Sequence, residues 1–179
     1  MENKDLMDIL LEVYHDKNAE VRITRKQMKN FFLDLFTGGT NTTSDGILWI
    51  LAELVSHPAA FKKLREEIDS VVGTERLVDE ADIPSMPYFQ ACVKEAMRVN
   101  PPAYVPFGGG RRMCPGINMS SSLINCSVTA VVQCFDWKVL GGDGPDGSKV
   151  NMDTKPGVVK SMAKPFMAIP VLRRNLFSV

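Results

Sequence analysis

The run Phe107-Gly-Gly-Gly-Arg-Arg-Met-Cys114-Pro-Gly116 constrains this chain more than any other stretch. It surrounds one cysteine with four glycines and a proline, just ahead of a segment whose apolar residues recur at helical spacing. A chain of this kind must turn tightly and then enter a helix. Gly110 and Gly116 are expected to permit backbone conformations closed to residues with a Cβ, and to let the main chain approach a flat ligand. A helix starting after Gly116 would turn free N–H groups and the positive end of its dipole toward the Cys114 sulfur. A thiolate needs such shielding, because it is nucleophilic and readily oxidised. Arg112, two residues before the sulfur, offers a bidentate partner for a carboxylate on the ligand, and Phe107 offers an aromatic face. Outside such a frame a free cysteine is simply a small buried apolar residue.

Other chemistries that use glycine or cysteine do not fit. A phosphate-cradling loop needs Gly-Lys-Ser or Gly-Lys-Thr leading into its helix, and neither occurs. Cys92, Cys114, Cys126 and Cys134 form no C-x-x-C pair, and the only histidines are His15 and His57, which argues against a zinc site. Four scattered cysteines in 179 residues are not a secreted disulfide framework and fit a reducing compartment. With 21 basic and 21 acidic residues, nothing points to a nucleic-acid partner. The start, Met-Glu-Asn-Lys-Asp, lacks the basic and apolar regions of a signal peptide, and no stretch reaches membrane-spanning length, so the chain as written reads as soluble. At 45% hydrophobic it is long enough for one globular domain.

The periodicity gives helix after helix, then short extended runs. Leu6, Ile9, Leu10 and Val13 form a helical stripe over about 5–15, and 16–23 is a polar loop. Thr24 with Gln27 reads as a capping box opening an unusually long helix that runs almost to His57-Pro58. Pro58 suits a first helical turn, with Phe61, Leu64, Ile68, Val71 and Val72 on one face and Gly73 as the stop. After a connector from Asp79 to Pro87, a further helix ends before Asn100-Pro101-Pro102. Leu123, Ile124, Val128, Val131 and Phe135 mark the helix behind the cysteine loop. Gly141, Gly142, Gly144 and Gly147 make a turn-rich loop, and Pro165 and Pro170 interrupt the tail as in small hairpins or edge strands.

At the cysteine loop the chain resembles the heme-thiolate monooxygenases of the cytochrome P-450 superfamily, whose ligand signature is Phe-x-x-Gly-x-Arg-x-Cys-x-Gly. Phe107, Gly110, Arg112, Cys114 and Gly116 fill every fixed position. The resemblance implies heme b as cofactor, with Cys114 the axial ligand to iron and the other four residues around the heme. A second match lies in the long helix, at Gly38-Gly39-Thr40-Asn41-Thr42-Thr43. Two glycines inside a helix cost about 1 kcal/mol each relative to alanine, so the sequence suggests a local opening there; a loop joining two helices fits the segment equally well. The family carries Ala/Gly-Gly-x-Asp/Glu-Thr-Thr/Ser on the helix where dioxygen binds, and Gly38, Gly39, Thr42 and Thr43 match. By that resemblance Thr42 supplies the hydroxyl beside bound oxygen. Asn41 stands where the family has a carboxylate thought to relay protons, and an amide does not titrate in that range.

The third match is Glu95-Ala-Met-Arg98, a pair three apart on one helix face. In the family it is structural and joins a further downstream arginine. Between Arg98 and Phe107 this chain has only Val99-Asn-Pro-Pro-Ala-Tyr-Val-Pro106, so that arginine and the supporting strands and meander are missing. The expected fold is mainly α with a few short β strands or hairpins: the C-terminal half of the cytochrome P-450 fold. It would be one partial domain of two family blocks, about 1–103 and 104–179, joined across a deletion near Ala103-Tyr104. The front half and its membrane anchor lie outside what the resemblance covers. The tail, with Phe135-Asp-Trp137-Lys-Val, Lys155-Pro-Gly157 and Ala168-Ile-Pro170-Val, is similar to plant microsomal members oxidising flavonoids and related phenolics. By analogy 158–161 forms a substrate-facing turn, though a plain edge hairpin also fits.

The resemblance implies a monooxygenase that takes electrons from an NADPH-dependent reductase and inserts oxygen into a small apolar or phenolic molecule. It further implies residence at the endoplasmic reticulum membrane, whereas for the chain without the anchor the location is cytoplasmic or left open. The alternative is a non-catalytic family product, a splice form or misassembled gene model, that binds heme poorly or not at all. The sequence favours the alternative for this polypeptide, because its long helix and the helix after Cys114 have lost the elements that should cover them.

Overall fold

The computed structural model describes residues 4–99, 106–141, 149–157, 159–174 and 176. Ala103, Tyr104, Gly142, Gly144, Gly147 and Val158, on which parts of the sequence reading fell, lie outside them. Five α-helices are present among the described residues: α1 (Leu6–His15), α2 (Arg25–Ser56), α3 (Pro58–Val72), α4 (Pro87–Val99) and α5 (Ile117–Cys134). Two strands, β1 (Phe135–Val139) and β2 (Ala168–Leu172), pair antiparallel. The architecture is mainly α with a small β ribbon, as the sequence implied. No helix among the described residues is long and apolar enough to cross a membrane.

Contacts divide the chain into two units, Met1–Asn41 and Thr42–Val179. In the first, Asp5 and Asp8 cap α1 reciprocally, and the Thr24/Gln27 capping box is formed in both directions at 2.8 Å and 3.2 Å. No residue of α1 is buried, and Leu33 and Phe36 on α2 are 63% and 74% exposed. The helix runs unbroken through Gly38 and Gly39, so the opening suggested by the sequence is not seen and the loop alternative is excluded. A Cβ added at either glycine would meet nothing within 4 Å. The hydroxyls of Thr37 and Thr40 bond back to the carbonyls of Leu33 and Phe36, at 2.7 Å and 2.5 Å, a pattern that bends helices without breaking them.

The second unit holds the core. Ile50, Leu51 and Leu54 of α2 pack with Leu64 and Ile68 of α3, Phe89 and Val93 of α4, and Ile124, Val128 and Val132 of α5. Helix α3 begins at Pro58 and ends where Gly73 takes a φ of +80°, a conformation glycine enters at no steric cost. The Asp79–Pro87 connector contains a 3-10 helix, Glu80–Ser85, capped reciprocally by Asp79 and Asp82. Side chains from distant elements then satisfy the helix ends. Glu67 on α3 accepts the N–H groups of Tyr88 and Phe89, at 2.8 Å and 2.7 Å, and so caps α4 with a negative charge. Arg65 donates to the Val132 and Phe135 carbonyls, at 3.3 Å and 2.8 Å, at the negative end of α5. The buried Gln133 accepts from Val78 N–H and donates to the Arg76 carbonyl, so neither of its polar ends is orphaned.

Two sequence assignments on α5 change. Phe135 does not continue the helix but starts β1, opposite Leu172. Leu123 is exposed rather than part of the buried stripe. Pro170 sits in β2 opposite Trp137; in a ribbon of two strands its missing N–H can face outward, consistent with the edge position expected.

Candidate functional site

The cysteine loop is closed by its own backbone. Phe107 has a φ of +66°, followed by Gly108 at +71° and Gly110 at +68°. A left-handed residue with a side chain is strained by about 1–3 kcal/mol, and such strain persists only where the surroundings hold it. Here the Cys114 N–H donates to the Phe107 carbonyl at 2.8 Å, locking the loop ends together. The 3-10 turn Gly110–Arg112 lies between them, with Arg111 and Arg112 exposed. Gly116 departs from expectation: its φ of −88° is open to any residue. What its missing Cβ leaves is room beside the sulfur, since an added Cβ would lie 3.8 Å from Cys114 Sγ. Gly116 is also the N-cap of α5 and has no side-chain cap, so the first-turn N–H groups of that helix start next to the sulfur.

The four cysteines are not equivalent. Cys92, Cys126 and Cys134 lie within helices, and burial pushes each of their thiols up. They remain protonated at neutral pH. Cys114 is the cysteine on a glycine loop at a helix start, and it is half-buried. Among the described residues no group of three or more His, Cys, Asp or Glu could hold a bare metal ion. A single cysteine sulfur is the donor set for a metal that brings its other ligands with it, as heme iron brings four porphyrin nitrogens. The open space around Gly108, Gly109 and Gly110 suits a flat group laid against the backbone. The residues present therefore fit heme.

In the second unit α2 and α5 meet directly. Thr43 Oγ1 and Ser120 Oγ lie 3.1 Å apart, Ser120 being six residues after Cys114. A Cβ added at Gly46 would come within 3.3 Å of Ile124, so glycine lets the two helices approach closely. A different face of α2 receives the tail. A hairpin with a bridge between Thr154 and Met162 docks there, Ser161 Oγ donating to Asp45 at 2.8 Å and Trp49 Nε1 donating to the Lys160 carbonyl at 3.1 Å. At about 100° per residue, Thr42 falls between the α5-facing set (Thr43, Gly46, Ile50) and the hairpin-facing set (Asp45, Trp49). Thr42 and Asn41 are both exposed.

Glu95 and Arg98 form a bidentate pair on α4, at 2.7 Å and 2.6 Å, and the guanidinium holds the Glu95 carboxyl below its ordinary range. Their side chains are 60% and 69% exposed. A buried pair short of its third partner would leave an uncompensated charge, and at this exposure that cost does not arise. Ser120, Asp45 and Trp49 were not singled out by the sequence as site residues, and Ser161 entered only as the last residue of the turn at 158–161 that the resemblance implied. Their partners lie 77 to 116 positions away, which no local pattern encodes.

The family profile described as cytochrome P-450 matches residues 1–104 and 99–167. The chain is 31% identical to 3,9-dihydroxypterocarpan 6A-monooxygenase of Glycine max over 97% of its length and 46% of the relative's. It is 32% identical to cytochrome P-450 705A12 of Arabidopsis thaliana, over 99% of its length and 48% of the relative's. With cytochrome P-450 93B2 of Gerbera hybrida it shares 31% identity over 99% of its length and 47% of the relative's. The chain spans about half the length of the curated relatives it matches. With the family profile matching residues 1–104 and 99–167 and a cysteine loop of the family's pattern closed at the start of α5, this chain belongs to the cytochrome P-450 family of heme monooxygenases.

Proposed function

We propose that this chain carries the iron-ligand half of a heme-thiolate monooxygenase acting on a small apolar or phenolic molecule, with Cys114 as axial ligand to heme b. The observation that carries the proposal is the closed loop: strained Phe107, the Cys114 N–H to Phe107 carbonyl bond, and the sulfur beside the uncapped start of α5. When bound, a thiolate-ligated heme supplies activation of dioxygen and transfer of one oxygen atom, with electrons from an NADPH-dependent reductase. The chain's own residues hold and orient. Phe107 would offer a ring to the macrocycle, Arg112 a countercharge to its carboxylates, and Gly110 and Gly116 the room for both approaches. Thr42 presents a hydroxyl from α2, and Asn41 can hold a hydrogen bond there but cannot pass a proton as a carboxylate would. The phenolic substrate class rests on likeness to plant relatives, one of which is named as a pterocarpan monooxygenase. By the same likeness the site of action is the endoplasmic reticulum membrane.

A second reading is that this polypeptide is a non-catalytic family product built from two blocks, about 1–103 and 104–179, joined across a deletion. The family profile matching in two stretches supports it, as does an alignment of 239 residues for a chain of 179. The bare apolar faces of α1 and of α2 around Leu33 and Phe36 point the same way. Reconstitution of the full chain with heme, reduction, and addition of carbon monoxide distinguishes the two. A strongly red-shifted Soret band supports the thiolate proposal, and its absence supports the second reading.

A further inference from the structure

Residues 4–36 carry two apolar surfaces that the described fold leaves open, and they differ in the charge beside them. On α1 the half-buried side is Leu10 and Val13, while Met7, Leu11 and Tyr14, at i, i+4 and i+7, form a second stripe that is exposed. Asp8 and Glu12 lie next to that stripe, and the ten residues of α1 include no lysine or arginine. On α2, Arg25, Lys29, Leu33 and Phe36 fall at i, i+4, i+8 and i+11, one face that is basic at its start and apolar after it. All four are exposed. Arg22 and Lys26 add to the charge, and no acid occurs from Val21 to Leu33. Among the described residues none of Arg22, Arg25, Lys26 and Lys29 is paired with a carboxylate, and Glu12 pairs instead with Lys4.

We propose that a second copy of this chain covers these surfaces: Met7, Leu11 and Tyr14 of each chain lie on Leu33 and Phe36 of the other, with Asp8 and Glu12 near the other chain's Arg25 and Lys29. An acidic apolar helix followed by a basic apolar helix start is self-complementary, since a twofold axis brings acid against base in both halves of the contact. The contact closes on itself and stops at two copies. Burial of the apolar stripes drives association, and the exposed charges fix which stripes meet. The same charges choose this occupant over an anionic membrane, which Arg22, Arg25, Lys26 and Lys29 would attract but Asp8 and Glu12, beside the α1 stripe, would repel. The inference concerns residues 4–36 alone and does not depend on Cys114 holding iron.

The test is sedimentation equilibrium of the full chain. Wild type moves from the mass of one chain to that of two across the micromolar range. Phe36→Asp, with unchanged circular dichroism, stays at the mass of one chain. Lys29→Glu and Glu12→Lys, both at exposed polar positions that folding tolerates, each weaken association about tenfold, because symmetry counts every charge contact twice. The double variant Glu12→Lys with Lys29→Glu, in which each pairing is reversed, returns to within about threefold of wild type. A wild-type chain that stays at the mass of one copy overturns the proposal, as does a mass that climbs without limit past two. A double variant weaker than either single one removes the charge pairing and overturns it as well. Wild type that stays single in solution but sediments with phosphatidylserine–phosphatidylcholine vesicles, and loses that binding in Phe36→Asp, overturns it in favour of a membrane.

Discussion

Asp69 is the point where the end of the chain is tied to the helical core, and its removal has a pH signature. Its carboxylate accepts from Arg173 at 2.6 Å and 3.4 Å and from Arg174 at 2.8 Å and 3.1 Å. The three side chains are 22%, 26% and 21% exposed in the order Arg173, Asp69, Arg174, so the cluster is neither buried nor fully solvated. Breaking a buried pair costs about 3–5 kcal/mol and an exposed one about 0–1, which places Asp69→Asn near 2 kcal/mol, with two guanidiniums left facing each other. Burial acts to raise the Asp69 pKa, but bonds and charge from Arg173 and Arg174 outweigh it and hold the group below 3.8. The folded value is therefore depressed. The stabilisation is fully present above the unfolded carboxylate value of about 3.9 and is lost as the pH falls through the folded value. Urea unfolding of wild type and Asp69→Asn should differ by about 2 kcal/mol at pH 6, and the gap should close below about pH 4. A gap under about 0.5 kcal/mol at pH 6, or one that persists undiminished at pH 2, would refute the reasoning.

Three further outcomes follow from the same geometry. Gly39→Ala should stabilise the chain by about 0.5–1 kcal/mol in thermal unfolding, since the helix is regular there and the added Cβ meets nothing; a loss would mean the glycine is needed for an approach not yet accounted for. Gln133→Leu should cost about 2 kcal/mol, because the Val78 N–H and the Arg76 carbonyl both lose their partner, and equal stability would mean that those groups find others. Asn41→Asp, placed in a chain that turns over, should raise the fraction of electrons recovered in product, measured as product formed per NADPH consumed. Unchanged coupling would remove Asn41 from proton delivery.

What the sequence made legible is what short-range physics controls. The Thr24/Gln27 capping box, Pro58 at a helix start and Gly73 at its stop depend on neighbours within four residues, and all three formed. The two-sided capping of the 3-10 helix by Asp79 and Asp82 is equally local, and the reading of that stretch as a connector did not include it. Phe135 was assigned to α5 on spacing alone. Its carbonyl is instead taken by Arg65, 70 residues away in sequence, and its backbone pairs with Leu172. Glu67 capping α4, Asp69 binding the last arginines and Asp45 receiving Ser161 are likewise invisible to a periodicity reading, since each joins residues set side by side only by folding. At the site, the sequence marked Cys114 and the glycines around it correctly as a loop before a helix. It gave the positive φ to Gly110 and Gly116, whereas the backbone takes it at Phe107, Gly108 and Gly110 and leaves Gly116 in ordinary space.

The account stands or falls on the sulfur of Cys114. The full chain, reconstituted with heme and reduced, should give a strongly red-shifted Soret band with carbon monoxide, and Cys114→Ser should lose that band while Cys92→Ser and Cys126→Ser keep it. No such band in the wild-type chain, or one that survives Cys114→Ser, would contradict the assignment of Cys114 as the iron ligand.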